Sequence, residues 1–156
     1  MNTRIGKTGM AAIAAVALLF TASHAGAVDR LAQAKKLSVA AKAFPELARI
    51  NTQLDVLIAS METNTDQLKA YGKARVRATD RRYSGLTQSL NRLRTQISEL
   101  ELKLEKTPSP DEYGQSAPDA GSKARYGQAR ANLKQCLKLL SAHYDQLLRD
   151  IAKVRR

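Results

Sequence analysis

The sequence predicts an all-α protein, and two observations carry this prediction. Apolar residues recur at steps of three and four along most of the chain, which is the spacing of one face of a helix. The chain has no Trp, two Phe and five Tyr, and its apolar residues are mainly Ala and Leu, which suit helix-on-helix packing. We expect a long helical hairpin with coiled-coil-like seams, and a three-helix bundle is the alternative.

Residues 1–27 have the pattern of an export signal. Arg4 and Lys7 precede an uncharged, largely apolar run, and Ala25 and Ala27 are small residues at the two positions that a signal peptidase recognises. The apolar part of the run is shorter than the roughly 20 residues that span a bilayer. The pattern predicts cleavage after Ala27 and a periplasmic or secreted protein. A mitochondrial presequence and an uncleaved inner-membrane anchor are the alternatives.

The next segment, 28–44, is predicted to be a short amphipathic helix. Pro45 suits the first position of a following helix, so it separates this segment from the rest. The apolar residues on its one side are Leu31, Ala34, Leu37, Ala41 and Phe44. Such a helix either lies on a membrane surface or packs on its own protein.

Residues 45–106 are predicted to form one long helix with a soft middle near 69–85. One apolar series precedes this middle, with Asn64 as its polar interruption, and a second series follows it without interruption. The apolar register slips between the two, and Gly72 and Gly85 lower the helix propensity there. No Pro and no Asn-Gly pair marks a turn, so we expect a continuous helix about 90 Å long.

A loop is predicted over 107–122, because this stretch holds three of the four prolines. Ser109, Pro110 and Glu112 fit the N-cap, the first helical position and the acid of a capping box, which predicts one short turn inside the loop. A C-terminal helix is then predicted over 123–156, since its apolar residues again recur at steps of three and four.

The helix seams are predicted from the apolar stripes of the last two long helical stretches. Leu93 and Ile97 occupy the centre of the uninterrupted series, so we expect them to be buried. The predicted seam residues are Leu86, Leu90, Leu93, Ile97, Leu100, Leu133, Leu140 and Leu147.

Catalytic chemistry is not expected from this chain. Beyond the export signal it has one His, one Cys and no Gly-rich phosphate loop. Cys136 and His143 lie two helical turns apart, about 10 Å along the axis, which is too far for a nucleophile and its base. We expect Cys136 to fill the core and His143 to lie at the edge of a seam. The sequence predicts no catalytic residue, metal site or cofactor.

Charge is the feature that points to a partner. The chain has 26 Lys and Arg against 14 Asp and Glu, a formal net charge of +12. Lys69, Lys73, Arg77 and Arg81 follow at steps of four and would share one side of a continuous helix, where neighbouring like charges repel by about 0.2–0.5 kcal/mol per pair. This stripe is predicted to bind an anionic surface, and a solvated helix face is the alternative.

In an exported protein the anionic partner would be a lipid headgroup, lipopolysaccharide or the cell wall, and nucleic acid is not expected. In size, export signal, basicity and helical-hairpin plan the chain resembles the Skp-type periplasmic chaperones, although it lacks the β-rich segments of their trimerising body. The resemblance implies a chaperone-like role. With an uncleaved N-terminus the chain would be similar in plan to the inner-membrane spanins of phage lysis.

The sequence therefore predicts a non-enzymatic helical binding or scaffold protein of the cell envelope. It would engage an anionic partner through its basic residues, and a protein partner or a second copy through its helices. A membrane-anchored periplasmic coiled-coil protein is the alternative.

Overall fold

The structure is a computed structural model that describes residues 26, 29–74, 81–117 and 119–154. The helices are 29–38 (α1), Pro45–Ala74 (α2), Arg81–Glu105 (α3), Pro110–Ser116 (α4) and Ala120–Val154 (α5), and Val39–Ala43 forms a 3-10 helix. The described residues contain no strand, so the all-α class is confirmed. The predicted export signal, 1–27, lies outside the described residues apart from Gly26.

The prediction of a single helix over 45–106 is wrong, because the chain reverses between α2 and α3. Nζ of Lys103, near the end of α3, donates to Oε1 of Gln53, near the start of α2, at 3.0 Å. A continuous helix would separate these two residues by about 75 Å at 1.5 Å per residue. The slip in apolar register therefore marks a reversal of the chain, and the reversal falls inside the predicted soft middle at 69–85.

Burial explains why the chain folds back. A single long helix would leave much of its apolar stripe in water, whereas antiparallel packing lets α2 and α3 cover each other. Leu54 and Leu57 from α2 and Leu90 and Leu93 from α3 are all buried. Burying a Leu side chain stabilises the fold by about 1.5–3 kcal/mol. Summed over the stripe, this gain offsets the backbone groups that two new helix ends leave without helical partners.

Helix α5 runs antiparallel to α3 and completes a three-helix bundle. Oη of Tyr83 donates to the carbonyl of Ile151 at 3.2 Å, and Nη2 of Arg130 donates to the carbonyl of Leu104 at 3.2 Å. Each of α2, α3 and α5 contacts the other two. The arrangement is the three-helix alternative. The helical-hairpin plan on which the resemblance to the Skp-type chaperones rests is therefore absent from the described residues.

Helix α1 runs antiparallel to α2. Nζ of Lys35 lies 2.7 Å from the carboxylate of Glu62, and Nζ of Lys42 lies 3.5 Å from the carboxylate of Asp55. Later residues of the first segment thus meet earlier residues of α2. The start of α1 consequently lies toward the end of the bundle where α2 finishes.

The segment that contains α1 packs on its own protein, which is one of the two positions expected for it. Leu31, Ala34 and Ala41 are buried. Sγ of Cys136 on α5 lies 3.5 Å from the carbonyl oxygen of Ala34 and donates to it. Because the 3-10 helix contacts both α2 and α5, this first segment covers the groove between those helices.

The connection from α3 to α5 contains the short helix α4. The predicted capping box is present: the backbone N–H of Glu112 donates to Oγ of Ser109 at 3.2 Å, and that of Ser109 donates to the Glu112 carboxylate at 2.6 Å. The ring of Tyr113 stacks on that of Tyr126 with centroids 4.0 Å apart, and the ring of Phe44 meets both edge-on. These aromatic contacts attach α4 to α5 and to the start of α2.

All eight predicted seam residues lie in the core. Leu93 is 2% exposed and Ile97 is 5% exposed. The other six, all buried, are Leu86, Leu90, Leu100, Leu133, Leu140 and Leu147. The core of α2, α3 and α5 therefore runs the length of the bundle and holds its two ends in a fixed relation.

His143 is fully buried, and its predicted position at the edge of a seam is wrong. It follows Leu140 by three residues, which places it on the buried face of α5. Nε2 of His143 lies 2.9 Å from Oγ1 of Thr65, and that hydroxyl donates to the carbonyl of Met61 at 2.8 Å. Because the hydroxyl proton is already used, Nε2 is the donor to Thr65. This bond links α2 to α5 inside the core.

Candidate functional site

Three helix ends meet at one end of the bundle. The rings of Tyr71 on α2 and Tyr83 on α3 have centroids 6.2 Å apart, and the buried hydroxyl of Tyr83 donates to the carbonyl of Ile151 on α5 at 3.2 Å. The two contacts bring together the end of α2, the start of α3 and the end of α5.

The side chains at this end are mostly cationic, and we call the set the basic end. Its members are Lys69, Lys73, Arg81, Arg82, Arg149 and Lys153. Lys69 is partly buried and the other five residues are exposed. The basic end is thus an exposed group of cations drawn from three helices.

The carboxylates of Asp66 and Asp150 pair with two lysines of the basic end. Nζ of Lys69 lies 3.3 Å from the carboxylate of Asp66, and Nζ of Lys153 lies 3.1 Å from that of Asp150. The Asp150 side chain is only 5% exposed, and it also accepts a hydrogen bond from Nε2 of Gln146 at 2.9 Å. The carboxylate of Asp150 is therefore turned into the protein, while the cations face solvent.

The structure changes the interpretation of the predicted stripe. Lys69 and Lys73 lie on α2, but Arg81 is the first residue of α3, and Arg77 lies outside the described residues. The prediction that these residues share one side of a single helix is therefore wrong, because the chain reverses between α2 and α3. Lys69, Lys73 and Arg81 still lie at the same end of the bundle, since that reversal brings the end of α2 to the start of α3.

The helix dipoles stabilise some cations of the basic end and destabilise others. Lys73 and Lys153 lie in the last turns of α2 and α5, where the negative end of the dipole favours a cation. Arg81 and Arg82 lie in the first turn of α3, which contains no acidic residue. A cation at a helix start is unfavourable by about 0.3–1 kcal/mol. The start of α3 therefore concentrates positive charge that its own helix does not stabilise.

An aromatic ring lies beside these cations. The guanidinium carbon of Arg82 is 5.9 Å from the ring centroid of Tyr71, within the range of a cation–π contact. Tyr71 is partly buried. Nη2 of Arg149 donates to Oε1 of Gln146 at 3.0 Å. The site thus combines guanidinium groups, ammonium groups and a tyrosine ring at one end of the bundle. Sequence spacing missed Arg149 and Lys153, because only the packing of α5 brings them here.

The opposite end of the bundle, formed by residues 103–125 and the start of α2, is called the loop end. Residues 103–125 contain four cations and four carboxylates. Nζ of Lys123 lies 2.6 Å from the carboxylate of Asp111, and Nη2 of Arg125 lies 3.6 Å from that of Asp119. Positive and negative side chains are thus equal in number here, and two of the cations pair with carboxylates.

Three carboxylates of the loop end have lowered pKa values. The hydrogen bond from Lys123 and its positive charge lower the pKa of Asp111. Hydrogen bonds from Ser109 lower the pKa of Glu112, and hydrogen bonds from Ser122 lower the pKa of Asp119. Asp119 therefore acts as a cap at the start of α5, where the dipole favours an anion.

The thiol of Cys136 is enclosed by α1. Burial, with a smaller contribution from the charge of Asp55, raises the pKa of Cys136 to about 12. At neutral pH the group is a protonated thiol, and the thiolate is the form that reacts. A disulfide between two chains would require α1 to leave its groove. The predicted role of core filler agrees with this position.

The described ranges contain no metal site and no membrane-spanning helix. No group of three or more His, Cys, Asp or Glu side chains there has the geometry to hold a metal ion. Within the same ranges, none of the helices combines the length and apolar character that crossing a bilayer requires. Comparison with known proteins finds no family model that matches the chain, and no similar curated protein or solved structure.

Proposed function

We propose that the protein is an exported, non-enzymatic helical binding protein of the cell envelope, and that it holds an anionic partner at the basic end. The observation that carries the proposal is the pair Arg81 and Arg82 in the first turn of α3. The helix dipole disfavours cations at that position by about 0.3–1 kcal/mol, and Asp80 directly precedes them in the sequence. An anionic partner adds a favourable interaction with these exposed cations, so binding accounts for their grouping at one end of the bundle.

The rest of the bundle supports a binding role. Its apolar stripes are buried, so the exposed surface is mainly polar. His143 and Cys136, whose side chains could donate a proton or attack a substrate, are both enclosed in the core. The exposed chemistry is therefore that of charged groups, which recognise a partner by electrostatic attraction.

A pair of variants with equal charge changes tests where the anion binds. The basic-end variant carries Lys73→Gln, Arg81→Gln, Arg82→Gln and Lys153→Gln. The loop-end variant carries Arg49→Gln, Lys103→Gln, Lys106→Gln and Arg125→Gln, which are also exposed cations. Both variants lose four positive charges, so net charge cannot explain a difference between them. Far-UV circular dichroism checks that each retains its helices.

Co-sedimentation with anionic envelope material is the measurement. Cell-wall sacculi and vesicles of phosphatidylglycerol and phosphatidylcholine serve as anionic surfaces, and pure phosphatidylcholine vesicles serve as the neutral control. We expect the wild type and the loop-end variant to sediment with at least one anionic surface, and the basic-end variant to remain in the supernatant. Equal binding by the two variants, or no binding by the wild type to either surface, contradicts the proposal.

Export is tested separately by cell fractionation and intact mass. We expect the protein in the envelope fraction with Val28 as its first residue. A mass that retains residues 1–27, found in the membrane fraction, favours the anchored alternative that is similar in plan to the spanins. Recovery only from the cytoplasm contradicts export.

A further inference from the structure

We infer that the basic end docks the bundle end-on onto an anionic lipid surface, an inference that rests on the proposed function and names the partner. The alternatives are a linear polyanion, such as a cell-wall polymer, and an acidic protein. The positions of the cations and the neighbouring tyrosine ring each favour the lipid surface.

The cations are spread in two dimensions. Lys73 lies at the end of α2, Arg81 at the start of α3 and Lys153 near the end of α5. Packed helices lie about 8–10 Å apart, so these side chains spread across the end of the bundle and do not form a line along one helix. A plane of lipid phosphates meets all of them at once, whereas a single extended polymer follows one line.

The aromatic composition of the basic end also fits a lipid interface. Tyr71 is partly exposed, and the Arg82 guanidinium carbon lies 5.9 Å from its ring centroid. A tyrosine has an apolar ring and a polar tip, which suit the headgroup level of a bilayer. Lys and Arg side chains reach anionic headgroups at the same level. Ring and cations can therefore contact one interface together. An end-on position directs the loop end, with its paired charges, away from the lipid.

Single-tryptophan variants test the docking geometry, because the chain has no Trp of its own. Tyr71→Trp places the probe at the basic end. Leu102→Trp places it near the loop end, where the Leu102 side chain is 52% exposed. The protein is purified from expressing cells, with its N-terminus read by intact mass. It is then mixed with vesicles of phosphatidylglycerol and brominated phosphatidylcholine, whose bromines quench nearby tryptophan.

We expect quenching and a blue shift of the emission for Tyr71→Trp and neither change for Leu102→Trp. Each cation near an anionic leaflet contributes about fivefold to partitioning, so the four charges lost in the basic-end variant lower vesicle binding roughly several hundredfold. The loop-end variant, with the same charge loss, retains binding.

Quenching of both probes, or of Leu102→Trp alone, overturns end-on docking. Equal binding to pure phosphatidylcholine vesicles assigns attachment to the N-terminal residues and also overturns it. Binding to cell-wall sacculi without binding to vesicles overturns the lipid partner and leaves the proposed function standing. Failure to bind either anionic surface overturns both.

Discussion

The two ends of the bundle differ in the charges that they place at the starts of their helices. At the loop end, Glu112 and Asp119 lie at the starts of α4 and α5, where helix dipoles favour anions. At the basic end, the first turn of α3 carries Arg81 and Arg82 and no acid. The starts of α4 and α5 thus have acids whose side chains cap the helix, whereas the first turn of α3 has two cations, with Asp80 directly before them in the sequence.

The difference indicates which end of the bundle can attract a charged partner. At the loop end, charged side chains pair within the protein: Lys123 pairs with Asp111, and Arg125 pairs with Asp119. Exposed ion pairs of this kind contribute only about 0–1 kcal/mol each, but they leave little net charge for a partner. The basic end keeps its positive charge toward solvent, so it can attract an anion over a Debye length.

The largest expected effect tests the core that joins the two ends. Leu93 lies in the core of α3 and is 2% exposed, so Leu93→Ala should lower the free energy of unfolding by about 2–5 kcal/mol. Leu102→Ala is the matched control, because that side chain is exposed, and it should change stability by less than about 0.5 kcal/mol. Urea unfolding followed by circular dichroism measures both. Similar small losses for the two variants would show that the seam is misplaced.

Removing the cap of α4 tests whether that cap stabilises the loop end. Ser109→Ala deletes the hydroxyl that accepts the Glu112 N–H and should destabilise the protein by about 1 kcal/mol. Ser116→Ala, at the exposed end of the same helix, is the control and should have little effect. The near-ultraviolet circular dichroism of the Tyr113–Tyr126 stack reports on α4 directly. An unchanged stack and an unchanged unfolding midpoint in Ser109→Ala would contradict the capping role.

Charge reversal at the two ends of α3 tests whether its dipole disfavours a cation at the start and favours one at the end. Arg81→Glu places an anion at the start of the helix and should stabilise the protein by about 1 kcal/mol at low salt. Lys106→Glu makes the same charge change just beyond the end of α3 and should destabilise it by a similar amount. Both shifts in unfolding midpoint should shrink at about 1 M salt, where the Debye length is about 3 Å. Shifts in the same direction would instead attribute the effect to net charge.

The smallest expected effect is the loss of stability at the loop end at low pH. Asp111, Glu112 and Asp119 have pKa values lowered by folding, so their contribution to stability is present above the unfolded pKa values near 4 and is lost as pH falls through the lower folded values. The Tyr113–Tyr126 signal should hold from about pH 7 to pH 5 and weaken below about pH 4. A triple variant with the matching amides should show a flatter profile. A transition above pH 5 would assign the effect to other groups.

Much of the fold was predictable from the spacing of apolar residues, because that spacing records which side of each helix is buried. The reversal between Ala74 and Arg81 was not, since no Pro or Asn-Gly pair marks it and burial between α2 and α3 decides it. The buried position of His143 was missed for a related reason. A polar residue within an apolar series looks like an edge residue until its partner, Thr65 on another helix, is known.

The candidate site was predicted in part, and for a reason that proved wrong. Lys69, Lys73 and Arg81 do lie at one end of the bundle, but the reversal of the chain brings them together and a shared helix face does not. Arg149 and Lys153 join them only through the packing of α5. The sequence does show cations near the ends of separate helical segments. Only the antiparallel packing of the helices determines which of these cations lie close together.

Hydrogen–deuterium exchange on vesicles of phosphatidylglycerol and phosphatidylcholine tests the central claim most directly, because it maps the contact onto the chain. We expect added protection at the end of α2, the start of α3 and the end of α5, which together form the basic end. We expect no change over Pro110–Ser116 at the loop end, and no change anywhere with pure phosphatidylcholine vesicles. Protection centred on the loop end, or spread evenly over both ends, would contradict the account.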